Sequence, residues 1–92
     1  MKSKTLAEVK AGLMESEEFR EAYEAEIRKE RLQLLLAEWR QHAGLTSSQV
    51  AERMGIKHPT LSRMEKHINT VTLETLARYA KACGVENAVI YF

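Results

Sequence analysis

The stretch that most constrains this chain is TSSQVAERMGIKHPTLSRMEK, residues 46–66, because a glycine at its middle separates two short segments of helical periodicity. Thr46 and Gln49 have the spacing of a capping box, which satisfies the first unpaired amides of a helix carrying Val50, Ala51 and Met54 on one face. Gly55 ends that helix, since glycine alone adopts the left-handed conformation of a helix terminus without a steric penalty, and Ile56 plugs the space between the two segments. Pro59 fits the first turn of a second helix, where no amide partner is needed. Leu61 and Met64, three residues apart, give that helix its inward face. His58, Pro59, Ser62, Arg63 and Lys66 fall on the opposite side, at i, i+1, i+4, i+5 and i+8. The segment thus predicts two short helices joined by a tight turn, the second presenting donors and positive charge outward.

A helix of that length and outward chemistry suits a DNA major groove. The alternative is a structural helical hairpin whose basic face is only solvated, an interaction module that never touches DNA. The residues GIKHPTLSRMEK resemble the DNA-binding domain of the phage-repressor-like (Xre) regulators: a small apolar helix, Gly, an apolar residue, and a recognition helix ending in Ser-Arg-apolar-Glu. Two positions depart from that pattern. Lys57 stands where Ser or Thr usually caps the recognition helix, and His58 stands where Gln usually reads a base. The resemblance runs from about residue 32 to residue 84 and implies an all-α, lambda-repressor-like bundle. The outward face and the helix ends give expected roles beside it. Lys57, His58, Pro59, Thr60, Ser62, Arg63 and Lys66 would face DNA, with Ser47 before them and Asn69 and Thr70 after them on the phosphates. An ion pair between Arg40 and Glu65 is a further implication.

With 92 residues, one modest core is the expectation. One proline and four glycines leave the chain mostly helical. The net charge of +1 conceals a polarity. Residues 15–30 hold seven Glu against Arg20, Arg28 and Lys29, a balance of −4, whereas residues 53–67 hold Arg53, Lys57, Arg63 and Lys66 against Glu65, a balance of +3. One end repels DNA and the other attracts it. Cys83 is alone, which excludes a disulfide framework or Cys-rich zinc site and suits a reducing compartment. No apolar run approaches the roughly 20 residues of a membrane span, and no secretory signal is evident, so a soluble, cytoplasmic protein is expected. Enzymatic chemistry finds no footing: His42, His58 and His67 lack metal-ligand spacing, no phosphate-binding glycine loop occurs, and aspartate is absent. No cofactor is expected.

Residues 1–30 read as an arm. Thr5 and Glu8 form a capping box before a short helix striped by Leu6, Val9 and Leu13, and Ser16 caps a new helix with Glu17 and Glu18 in its first turn. Phe19, Tyr23 and Ile27 then recur at i, i+4 and i+8, followed by Leu32, Leu35, Leu36 and Trp39 on a shifted face. A continuous helix of about 27 residues would be roughly 40 Å long, too long to bury both stripes in one small core. The Phe19 stripe therefore meets the chain's own 6–13 segment, in the monomer or a dimer, or else a partner protein. Residues 31–86 form the DNA-binding domain. Leu35, Leu36 and Trp39 pack on Val50, Leu61 and Met64, and a last helix capped by Thr72 turns Leu73, Leu76, Ala77 and Ala80 inward before Gly84. Residues 87–92 are β-prone and too apolar for water, predicting a C-terminal strand paired with its own copy across a two-fold axis. An extended tail covering the core is the alternative.

The arm ESEEFREAYEAE, the segment LAEWRQHAGLTSSQVAERMGI and the helix LETLARYAKACGV are together similar to the antitoxins of Hig-type toxin–antitoxin pairs. That resemblance implies an antitoxin that binds a RelE-like, ribosome-dependent messenger-RNA endonuclease and represses its own operon; the stripe of Phe19, Tyr23 and Ile27, which the small core cannot reach, is the expected anchor for that partner, and a homodimer on double-stranded operator DNA is expected. A stand-alone Xre regulator whose arm serves dimerisation remains the other reading.

Overall fold

The computed structural model describes residues 17–90. They form four α-helices and one 3-10 turn: α1 (Glu17–His42), α2 (Ser47–Met54), α3 (His58–Lys66), the turn Ile68–Thr70, and α4 (Leu73–Ala82). The short helix and stripe expected at residues 5–13 lie outside the described residues, as do Ser16, Tyr91 and Phe92.

Helix α1 runs unbroken for 26 residues, through the arm boundary expected at residue 30. Glu17 and Glu18 favour its positive amino end and Arg40 and His42 its carboxyl end. Leu45 N–H closes the helix onto Arg40 O at 3.0 Å while Gly44 takes φ +70°, the left-handed exit. Only Leu32 and Leu36 of α1 are buried.

The core is built on the second half of α1. Leu32 and Leu36 meet Val50, Ala51 and Met54 of α2, Leu61 of α3, Ile68 of the 3-10 turn, and Leu76, Tyr79, Ala82 and Cys83 of α4. Val50, Leu61 and Tyr79 are fully enclosed, and burial of each aliphatic side chain stabilises the fold by about 1.5–3 kcal/mol. Trp39 is half-buried against this cluster and tilts on Tyr79 with ring centroids 6.5 Å apart.

Three expectations are corrected here. The chain is all-helical among the described residues, with no C-terminal strand: residues 87–90 take no regular structure, and Ile90 instead packs on the core. A strand needs an edge to pair with, and the described residues offer none, so Ile90 gains more by covering apolar surface. In α4 the inward face is Leu76, Tyr79, Ala80 and Ala82, with Cys83 buried just past its end; Leu73 is 74% exposed and Ala77 is also outside. Leu73 shares the direction of Leu76 but lies a turn beyond the end of the core. Leu35, in turn, is half-buried without joining the core cluster, and lines an outer groove with Arg31, Leu34 and Glu38.

Candidate nucleic-acid interface

The turn between α2 and α3 sets the geometry of everything that follows it. Thr46 Oγ1 accepts from Gln49 N–H at 3.2 Å and Gln49 Oε1 accepts from Thr46 N–H at 2.8 Å, the reciprocal capping box. At the other end Gly55 adopts φ +72°, and the amides of Gly55 and Ile56 satisfy the last carbonyls of α2 at Glu52 and Ala51. Ile56 packs against the core, so the exit angle of the chain into α3 is fixed by burial as well as by the turn.

Helix α3 begins without a side-chain cap. Lys57 is the N-cap in extended conformation but makes no capping bond, while its carbonyl accepts from Thr60 and Leu61 N–H at 3.0 and 3.1 Å. Pro59, in the first turn, leaves no amide unpaired. Leu61 is fully buried and Met64 packs on the core, which locks the rotation of α3 about its axis. That rotation turns His58, Pro59, Ser62, Arg63 and Lys66 outward within an arc of about 140° at 100° per residue, and all five are exposed. Thr60 is exposed at the edge of the arc. It shares a shallow hollow with Arg63, Met64, His67, Thr70 and Val71. The structure thereby brings Thr60, Arg63 and Thr70 together. Asn69 and Thr70 sit exposed in the 3-10 turn, where Thr70 Oγ1 donates to His67 O at 2.8 Å and holds the loop. Ser47 is the first residue of α2 and half-buried, so it is placed at a helix amino end rather than on the α3 face.

Glu65, the one acid of α3, is withdrawn from that face. Its carboxyl is half-buried, and burial pushes its pKa above the ordinary 4.5 while the charges of Arg40 and His58 hold it down. The expected Arg40–Glu65 ion pair does not close. Arg40 Nη1 instead donates to Leu45 O at 3.1 Å, and its Nε is buried without a hydrogen-bond partner. Charge attraction between the two persists at longer range, and the outer face of α3 carries Arg63 and Lys66 with no acid beside them.

Other side chains hold this frame and carry no motif of their own. Gln33 Nε2 donates to Glu65 O at 2.9 Å, joining α1 to the end of α3; the signal for it was one amide inside a leucine-rich run. Arg53 Nη1 donates to Ala82 O at 3.0 Å, and Arg78 Nη2 donates to Met54 O at 2.7 Å. Each arginine thus caps the carboxyl end of the other's helix, where the last carbonyls lack intrahelical partners. Cys83 is buried, and burial raises its thiol pKa, so it acts as a small apolar core residue.

On the arm, Phe19, Tyr23 and Ile27 are half-buried on the outer side of α1, away from Leu32 and Leu36. No described helix is long and apolar enough to cross a membrane.

Residues 36–86 match the model of the helix-turn-helix family. Over 43 residues the chain is 46% identical to antitoxin HigA1 of Mycobacterium tuberculosis, in both strain CDC 1551 / Oshkosh and strain ATCC 25618 / H37Rv. The aligned stretch is 47% of this chain and 29% of each relative, so the chain spans less than a third of the length of the curated relatives it matches. No solved structure gives a significant match.

Proposed function

We propose that this chain, which belongs to the helix-turn-helix family in its Xre-like form, is a sequence-specific DNA-binding antitoxin that represses its own operon and neutralises a RelE-like messenger-RNA endonuclease. The observation that carries the DNA half is the exposed arc of His58, Pro59, Ser62, Arg63 and Lys66 on a helix whose rotation is fixed by buried Leu61. Arg63 reads guanine with two parallel bonds to O6 and N7, and His58 adds one directed bond. Lys57, Thr60 and Lys66 flank them. Ser47, Asn69 and Thr70 hold phosphates and set orientation without conveying sequence. The active form is a homodimer in the cytoplasm, whose two α3 helices enter successive major grooves about 34 Å apart.

The toxin half rests on the similarity to antitoxin HigA1 and on the arm. Seven acidic residues between 15 and 30 complement a basic, RNA-holding protein, and Phe19, Tyr23 and Ile27 supply the apolar anchors that dominate such interfaces. Residues 1–30 serve as the partner arm and 31–86 as the DNA-binding domain. Mobility shift on DNA upstream of its own gene tests the first function, and co-purification with the product of a small, basic neighbouring reading frame tests the second. The variant Phe19→Ala/Tyr23→Ala is expected to release the toxin at least tenfold more readily, as loss of aromatic anchors does, with operator binding unchanged. Collapse of the dimer in that variant would assign the stripe to self-association.

A further inference from the structure

The outer face of α1 continues past the Phe19, Tyr23 and Ile27 stripe, in line with it, to two leucines that the DNA reading does not use. Leu34 is 65% exposed, and with half-buried Leu35 it floors a groove walled by Arg31 and Glu38. At 100° per residue Leu34 lies opposite Leu32 and Leu36, the two that enter the core, Arg31 and Glu38 lie within about 60° of Leu34, and Leu35 sits about 60° from Leu32 at the border between the two sides. A mostly exposed leucine beside a half-buried one offers an apolar contact to whatever pairs with the helix.

The spacing of the four residues says what covers it. Arg31, Leu34, Leu35 and Glu38 read the same from either end in position, with a cation at one end and an acid at the other. Placed antiparallel against a second copy, with a two-fold axis between residues 34 and 35, the patch complements itself. Arg31 then lies level with Glu38 of the other copy, and Leu34 with its Leu35, each contact occurring twice as an isologous interface requires. A guanidinium has five donors and can serve that carboxylate beside any contact it already makes. Parallel pairing would instead set Arg31 against Arg31 and Glu38 against Glu38.

We infer that this chain dimerises through an antiparallel pairing of α1 helices centred on Leu34 and Leu35, with reciprocal Arg31–Glu38 charge pairs. The inference gives a surface to the homodimer proposed above. The pairing is confined to one helix face, so the dimer is reversible, and two half-sites on one DNA reinforce it.

Sedimentation of the full chain over a concentration series tests this. Leu34→Glu is expected to raise the dimer dissociation constant by about tenfold or more, because a charge enters the interface centre. Circular dichroism should show an unchanged helical fold, since Leu34 faces away from the core. Arg31→Glu and Glu38→Arg should each weaken the dimer by placing like charges opposite one another, and the double variant Arg31→Glu/Glu38→Arg should restore it. That restoration cannot come from a merely structural role, because the two residues are too far apart on one helix to pair. A wild-type chain that stays monomeric at every concentration would remove the homodimer itself. A dimer indifferent to Leu34→Glu, or a double variant weaker than both singles, would leave the homodimer standing and assign it to another surface. Loss of toxin binding in Leu34→Glu with the dimer intact would give this face to the toxin, against the inference.

Discussion

At the scale of single residues, the backbone at Gly55 is the position where a substitution most directly disturbs the reading head. A Cβ built there meets nothing within 4 Å, so the whole cost of Gly55→Ala is conformational. At φ +72° that cost is about 1–2 kcal/mol for an L residue. Chemical denaturation should show this loss with little change in the slope against denaturant. Glu65 makes a second residue-scale case. Its pKa is raised by burial, so folding favours the protonated carboxyl. The folded state then binds more protons than the unfolded state, and stability falls as pH rises from about 4.5 through the raised value. Glu65→Gln removes that penalty. Its melting temperature should exceed the wild type's at pH 7, and the two should converge below pH 4.5. A deficit in Glu65→Gln at pH 7 would show that attraction to Arg40 outweighs burial.

At the scale of elements, the parts of the chain governed by local chemistry were legible in the sequence, and the parts governed by tertiary contact were not. The capping box at Thr46 and Gln49, the left-handed Gly55, the first-turn Pro59 and the inward Leu61 all follow from interactions within a few residues of one another. The outward arc of α3 was legible for the same reason. By contrast, the phase of α4 depends on where the core ends, which no local pattern states; apolar Leu73 is exposed, and Tyr79, a residue with a polar tip, is fully buried. The tail 87–92 has strand composition, but composition cannot supply an edge, and Ile90 turns to the core. The Arg53–Ala82 and Arg78–Met54 bonds were invisible because each spans more than 20 residues. They predict coupling between α2 and α4. Because each arginine caps the other's helix, Arg53→Ala and Arg78→Ala should each destabilise by about 0.5–1.5 kcal/mol, as single exchanged hydrogen bonds do. A double-mutant cycle measures whether the two losses are additive. A coupling well above the ~0.5 kcal/mol within which independent sites add is expected, and strict additivity would mean that each cap acts alone.

At the scale of the whole molecule, one continuous helix connects two chemically opposite surfaces. The carboxyl half of α1 anchors the core that fixes α3, while its amino half carries the acidic, aromatic arm. No hinge separates them within Glu17–His42, so a partner seated on the arm is held in fixed register with the DNA-reading domain. This rigidity is the physical basis for coupling the two proposed functions in one small chain. Of the two, DNA reading is the one on which the rest depends, and Arg63 is its most specific element. Its guanidinium is expected to carry base discrimination of about 1–3 kcal/mol, whereas Ser47 contributes orientation alone. Fluorescence anisotropy of the wild type, Arg63→Ala and Ser47→Ala, each titrated with upstream operator DNA and with random DNA at one fixed salt concentration, measures this directly. Arg63→Ala should lose operator affinity far more than random-DNA affinity, with Ser47→Ala weakening both alike. Equal losses on the two DNAs for Arg63→Ala would contradict a base-reading α3.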